Sequence, residues 1–581
     1  MLRVFARTFL VTVCVFATVA LEAASLEFAV NHVFNGVPLT LNSMQYRNAA
    51  DEVMSIERVS YLLSDFAFER EDGKWIEVND KFAWMDAGSK RTTARFDVPS
   101  GVYRAMRFSV GLTSKVNSSD VTQYAADHPL NPNLNGLHWS WQGGYIFLAL
   151  EGLYQTAGTE PKGYSYHFAR TNNYTPVTLA ANLDMTKDSR LIVDFDTATA
   201  LNSPRLLSFV KDGTSTHSRA GDSVAAGIRA NLPGSFRIRQ YFQTSDTAKD
   251  VPTKPLYLPK QFTPFRFQMS GMFPIPSLPR DNPLIEERVS LGDKLFHEKA
   301  LSRDGSISCA SCHQDAAAFS DSRRFSIGVR NQTGTRQGMP LFNLAWKSSF
   351  FWDGRAPSLR AQALMPIQDH VEMDQTLEGA VSNLNARTEY AALFEKAFGS
   401  KEITSEKIGL AIEQFVLTLT SFDSKFDRVL RGQEKFSEQE QRGFELFMTE
   451  YEPRMQNYGA DCFHCHGGPL FSDHQFHNNG LDGKFDLDPG RNKFTKIDSD
   501  RGKFSTPSLR NIALTAPYMH DGRFKTLEEV IEHYSTGVKR SSTLDPNIAK
   551  HPDGGIHLSS ADKQALVAFL KSLTDPKFVK N

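Results

Sequence analysis

The chain has 581 residues, of which 40% are hydrophobic and 23% charged, with a formal net charge of −1. That length exceeds one ordinary core and implies several domains of soluble, globular composition. A near-neutral charge without a long basic run excludes a nucleic-acid surface.

Residues 1–24 read as an export signal. Arg3 and Arg7 form a positive start, and Phe9 to Leu21 is an apolar run too short to span a bilayer comfortably. Ala23 and Ala24 offer small residues for cleavage. There is no second long apolar stretch, so the expectation is an exported, periplasmic protein with no membrane span after signal removal.

Residues 25–247 read as an antiparallel β-sandwich. Met106, Phe108 and Val110 alternate with polar residues, as do Leu191, Val193 and Phe195, and then Phe236 and Ile238. Inside this segment His138 adjoins Trp139 and Trp141, two of the six tryptophans. On a strand the two indoles would share one face and serve as core aromatics. The imidazoles of His32, His138 and His167 are also ordinary ligands for copper or zinc.

Residues 248–283 form a linker. Eight prolines between positions 252 and 283 block regular structure and stiffen the connection, holding the sandwich close to the C-terminal half of the chain without fusing the two.

From Leu284 the pattern turns helical. Ile408, Ala411, Ile412, Phe415, Val416 and Leu419 recur at helical spacing, and Ser437-x-x-Glu440 and Thr526-x-x-Glu529 read as capping boxes. Two helical, cytochrome c-like lobes are expected, 284–435 and 436–581. Each contains one Cys-x-x-Cys-His stretch: Cys309, Cys312, His313 and Cys462, Cys465, His466. This is the attachment signature of a c-type haem, in which two thiols join the porphyrin vinyls and the adjacent imidazole turns onto the iron. The fifth cysteine, Cys14, lies in the signal, so no thiol remains for a disulfide framework. A four-cysteine zinc or redox site is the alternative, but neither requires His at both fifth positions.

Through His32, Leu137 to Glu151 (LHWSWQGGYIFLALE) and Tyr166-His167-Phe168, the sandwich resembles the MbnP-like family of periplasmic copper-binding proteins. The resemblance implies that a tryptophan, Trp139 or Trp141, is oxidised to kynurenine and joins histidines in a copper site. His32, His138 and His167 are the candidate ligands. Many relatives carry cysteine pairs that this segment lacks.

Leu284 to the C-terminus resembles the bacterial di-haem cytochrome c peroxidase and MauG superfamily, closest to its MbnH branch, the partner of MbnP. The matching stretches are Leu291-Gly-Asp-Lys-Leu-Phe296, Leu301-Ser-Arg-Asp-Gly305, Phe351-Trp-Asp-Gly-Arg355, Thr506-Pro-Ser-Leu-Arg-Asn511 and Ala516-Pro-Tyr-Met-His-Asp-Gly522. The resemblance implies two roles for two haems. The first, on His313, is the peroxide site, with a distal pocket of Gln362, Pro366 and Glu372 in which Glu372 is the acid/base. No His occurs between His313 and His370 to close its sixth position. The second, on His466, is an electron reservoir whose distal ligand falls on Tyr534, fourteen residues after His520. Met519 and His533 are rival ligands. Trp352 matches the tryptophan between the haems, or is a plain core aromatic. A calcium ion between the lobes would take Gln337, Thr515 and Pro517, with Gln337 standing where Asn is usual.

The expected function is a fusion that takes hydrogen peroxide and oxidises a tryptophan of its own sandwich to kynurenine, creating a copper site. One alternative is an ordinary cytochrome c peroxidase fed by a small electron-donor protein. Another is a non-enzymatic copper carrier. An open first haem argues against the carrier, and Tyr534 against the ordinary peroxidase.

Overall fold

The computed structural model of the protein describes residues 23–139, 143–244 and 257–580. The export signal up to residue 22, Trp141 and residues 248–256 of the linker lie outside the described residues.

Two sheets face each other in the N-terminal part. The first has five strands and runs Phe236–Gln243, Ser189–Asp196, Ala23–Phe34, Val37–Pro38, with Thr93–Pro99 also paired to Ala23–Phe34. The second has ten, with a main path Thr175–Asp184, Val102–Val110, Arg58–Arg70, Ile146–Gln155, Lys162–Ala169, Ser215–Thr216. The alternation read from the sequence is the inward face: Phe28, Leu191 and Val193 from one sheet meet Phe66, Phe68 and Phe108 from the other, all fully buried. Phe28 lies edge-on to Phe66 and Phe108, with ring centroids 5.8 and 5.6 Å away.

The sandwich is not antiparallel throughout. Ala23–Phe34 runs parallel to Ser189–Asp196, with His32 opposite Phe195, and Lys162–Ala169 runs parallel to Ser215–Thr216. Side-chain alternation has the same period in both directions, so it cannot distinguish them, and long connections remove the hairpin constraint.

The helical part is a duplicated lobe. In the first, helix Glu286–Phe296 packs on Ser405–Leu417; in the second, Glu438–Phe447 packs on Ser560–Lys571. Each pair closes on a glycine. A Cβ on Gly292 would lie 2.0 Å from the Ala411 carbonyl oxygen, and one on Gly443 would lie 2.0 Å from that of Ala565. Each lobe also has a left-handed Asn whose amide donates to the end of its second helix, Asn343 to Leu419 and Asn511 to Leu573. Both capping boxes form, Ser437 with Glu440 and Thr526 with Glu529. Among the described residues, no helix is long and apolar enough to cross a membrane.

The proline-rich segment differs from a plain spacer. Its described part packs into the haem lobes: Phe273 is fully buried, Trp346 donates to the Pro274 carbonyl at 2.7 Å, and the Arg510 guanidinium lies 4.7 Å from the Phe273 ring. Prolines block ladders, but their carbonyls and the aromatics between them still pack. The sandwich itself docks directly on the second lobe. Leu153 joins Val538, Leu544 and Ala549 in one small apolar cluster, and the Ser215 hydroxyl donates to Glu452 at 2.9 Å.

Candidate functional site

The two Cys-x-x-Cys-His stretches fold alike. Cys309–Ser311 and Cys462–His464 are single 3-10 turns. The amide of His313 donates to the Cys309 carbonyl, and that of His466 to the Cys462 carbonyl, each at 2.9 Å. Each turn therefore brings the His backbone to its first cysteine. The His313 Nδ1 lies 3.1 Å from the Phe319 carbonyl, and the His466 Nδ1 lies 3.1 Å from that of Phe471. That hydrogen bond fixes the tautomer and leaves Nε2 free for iron. Phe319 and Phe471 both sit at positive φ (59° and 52°), a conformation that aims each carbonyl back at its imidazole.

The second motif opens on an apolar cavity of about 200 Å³. Cys462, Cys465, His466, Met519 and Tyr534 line it, and so do Trp352, Gln337, Thr515 and Pro517. Tyr534 stands on a π-helical turn, His533–Gly537, and accepts from Asn479 Nδ2 at 3.3 Å. The same Asn479 amide reaches the Met519 sulfur at 3.5 Å. His533 turns away, its Nε2 3.1 Å from the Asn479 carbonyl. The cavity thus holds two of the three rival ligands. Burial raises the Tyr534 phenol, so it is protonated while nothing ligates it. Thiols, a freed imidazole nitrogen and an opposing phenol around an apolar cavity fit a covalently held haem.

In the first lobe, Gln362 and Pro366 lie on helix Leu359–Gln368, and the turn after it delivers Glu372. The Met373 amide donates back to the Pro366 carbonyl at 3.1 Å. Burial, then the charge of Asp369, raises Glu372 to about 7. Burial raises the Cys309 thiol to about 12, and the charges of Cys312 and then Glu372 add to that push. His370 is 83% exposed and pairs with Asp369. Trp352 is buried and donates to the Gln337 carbonyl at 2.8 Å. The Gln337 amide itself donates to Ser320 and to the Asp321 carbonyl.

The di-haem cytochrome c peroxidase family model matches residues 286–435, and the MbnP model matches residues 23–218. The methylamine utilization protein MauG of Methylorubrum extorquens is 39% identical over 299 residues, 51% of this chain and 80% of that protein. The chain belongs to the di-haem cytochrome c peroxidase family. The cytochrome c551 peroxidase of Nitrosomonas europaea is 35% identical over 45% of this chain and 77% of its own length. Among solved structures, a MauG-like protein associated with microbial copper homeostasis is 34% identical, covering 54% of this chain and 97% of that one, with a TM-score of 0.49. The two family matches make the chain a MauG-like, two-haem oxidoreductase fused behind an MbnP domain.

The MbnP-domain histidines are not gathered as a set of three. His32 is half-buried against Tyr61 and Phe195, its buried Nε2 without a hydrogen-bond partner. His138 stacks edge-on to Tyr145 at 4.6 Å. Burial lowers both to about 4, so both are neutral. His138, Trp139, Glu151 and His167 line one cavity of about 90 Å³ with His464 of the peroxidase half. His167 sends Nε2 to Glu151 Oε1 at 2.8 Å, and Arg58 donates to the same oxygen at 3.0 Å.

Sequence reading missed two members of this seam, His217 and His464. Trp139 lies 5.1 Å from the His217 ring; His217 lies 5.8 Å from Phe463 and 5.5 Å from His464. Phe463 and His464 are the two residues between the cysteines of the second attachment motif, stacked on each other at 4.3 Å. Burial lowers His217 to about 3. Burial lowers His464, but Glu450 and Asp461 together outweigh it and raise that imidazole to about 9. A second His inside the Cys-Phe-His-Cys-His stretch was the one available signal.

Proposed function

We propose that the peroxidase half uses hydrogen peroxide to oxidise Trp139 of its own MbnP domain to kynurenine, beside histidines that bind copper. The reading is supported by the unbroken line of ring contacts from Trp139 through His217 to Phe463 and His464 in the second attachment motif. The haems, when bound, supply peroxide cleavage and storage of the oxidising equivalents. Glu372 takes a proton from the near oxygen of peroxide and returns it to the leaving oxygen. Gln362 and Pro366 shape that pocket. Trp352, buried against Gln337, offers an indole station between the two lobes. Tyr534, lining the same cavity as His466, favours the oxidised state of its site over acceptance from a donor.

The atoms balance with two molecules of peroxide. The first product is N-formylkynurenine, with two oxygens gained and two waters formed; hydrolysis then releases formate and leaves kynurenine. The MbnP match and the expected export signal support a periplasmic location, where both haem attachment and copper traffic would take place.

Peptide mass mapping before and after peroxide tests the reading. Trp139 should gain oxygen and lose one carbon, and the change should be absent in Glu372→Gln. Unmodified Trp139 after peroxide turnover would leave an ordinary cytochrome c peroxidase with a small donor protein.

A further inference from the structure

The oxidation proposed for Trp139 ends on a step that moves no electrons. N-formylkynurenine becomes kynurenine only when water cleaves its formamide. That hydrolysis needs a base to activate water, room for the water and a positive charge for the developing oxyanion. The formyl carbon is the former C2 of the indole, so it remains part of the Trp139 side chain. The rings of Trp139 and His167 stand edge to face, 6.3 Å apart by centroid. Both line the cavity of about 90 Å³, together with Arg58, Asn133, His138 and Glu151.

Strand pairing builds the base. His167 on Lys162–Ala169 lies opposite Ala149 on Ile146–Gln155, so Glu151 is its diagonal neighbour on the same face. The Glu151 Oε1 accepts from His167 Nε2 at 2.8 Å and from Arg58 at 3.0 Å. An ionised carboxylate only accepts, so the imidazole proton sits on Nε2 and the Nδ1 lone pair is free. That Nδ1 is buried without a hydrogen-bond partner, as are His138 Nδ1 and Asn133 Oδ1 of the same cavity. A cavity of this size edged by unpaired polar atoms has the room and the partners for water. His217 lies nearer the indole, but its Nε2 faces Glu450 at 3.1 Å.

We propose that His167, oriented by Glu151, is the general base that removes the formyl group from oxidised Trp139, so the chain carries a formamide hydrolase of its own at the seam. The inference rests on the oxidation proposed above. His167 Nδ1 takes a proton from water as the water oxygen bonds to the formyl carbon. Arg58, which lines the cavity, offsets the charge on the oxyanion. The proton then passes to the aniline nitrogen as the C–N bond breaks, and formic acid leaves as formate and a proton. One water is consumed, and nothing is oxidised or reduced. The step precedes any metal at His167 and needs none.

The test uses the full-length protein with both haems in place, given peroxide, quenched in denaturant at successive times and digested for peptide mass mapping, with formate measured alongside. In the wild type the Trp139 peptide should first carry two added oxygens, then shift to the kynurenine mass with one formate released per chain. In His167→Gln the doubly oxygenated peptide should persist about 100-fold longer or more. If that variant fails to fold, the wild type decides: denaturant added while the formyl product is present should halt its conversion. Kynurenine formed as fast in His167→Gln, or as fast after denaturation, would overturn the proposal. A wild-type product that keeps both oxygens would also overturn it, while leaving the oxidation of Trp139 standing. A Trp139 that gains no oxygen would remove that oxidation, and the hydrolysis with it.

Discussion

A carboxyl in an apolar pocket keeps its proton longer, and at Glu372 that places the change of state near neutrality. With Glu372 raised to about 7, its carboxylate form dwindles as pH falls below that value. Peroxide must lose a proton first, so kcat/KM for peroxide should fall about tenfold per pH unit below roughly pH 6. Glu372→Gln should lower it about 100- to 10,000-fold with haem content unchanged. Peroxide consumption followed across pH, in both proteins, checks the slope and its loss. At Tyr534 the decisive property is charge. Tyr534→Met would replace the anionic phenolate proposed to ligate the second haem with a neutral thioether and should raise that haem's potential in a redox titration, whereas Met519→Leu should leave it in place. The attachment cysteines and their histidines were legible because their chemistry demands adjacency in sequence. His217 was not: nothing near it in sequence marks it, and its neighbours come from across the chain.

Among elements, helices were read more surely than sheets. The spacing of Ile408 to Leu419 and the two capping boxes are local patterns, and the structure forms helix Ser405–Leu417 and both boxes. The sandwich strands were legible by alternation, but the parallel run of Ala23–Phe34 beside Ser189–Asp196 was not, since pairing partners lie some 160 residues apart. The duplication is clearest in its glycines. Gly443→Ala would push a methyl against the Ala565 carbonyl and pry helix Glu438–Phe447 from Ser560–Lys571. A cost of about 1–3 kcal/mol is expected, read as a lower unfolding midpoint, and Gly292→Ala should cost about the same in the first lobe.

At the scale of the whole molecule, buried charge sits behind the seam. Lys550 is 3% exposed at its side chain and pairs with Glu450 and Asp461, both buried, while Glu450 also faces His217 of the sandwich. Lys550→Met would strand two carboxylates and should destabilise the protein by about 3–5 kcal/mol in denaturant unfolding. The proline-rich composition foretold a connector, yet gave no hint that Phe273 would plug into the lobes, because burial of a lone aromatic leaves no periodic trace. One contact between the halves is made by main chain alone: a Cβ on Gly163 would fall 1.8 Å from the Pro546 carbonyl oxygen. Backbone has no rotamers with which to accommodate a wedge. In the proposed reaction charge crosses this seam, and electron tunnelling decays exponentially with separation, so a side chain at Gly163 should slow the transfer. A Gly163→Val chain would keep every redox-active side chain while its new side chain pushes against the Pro546 and Lys550 backbone.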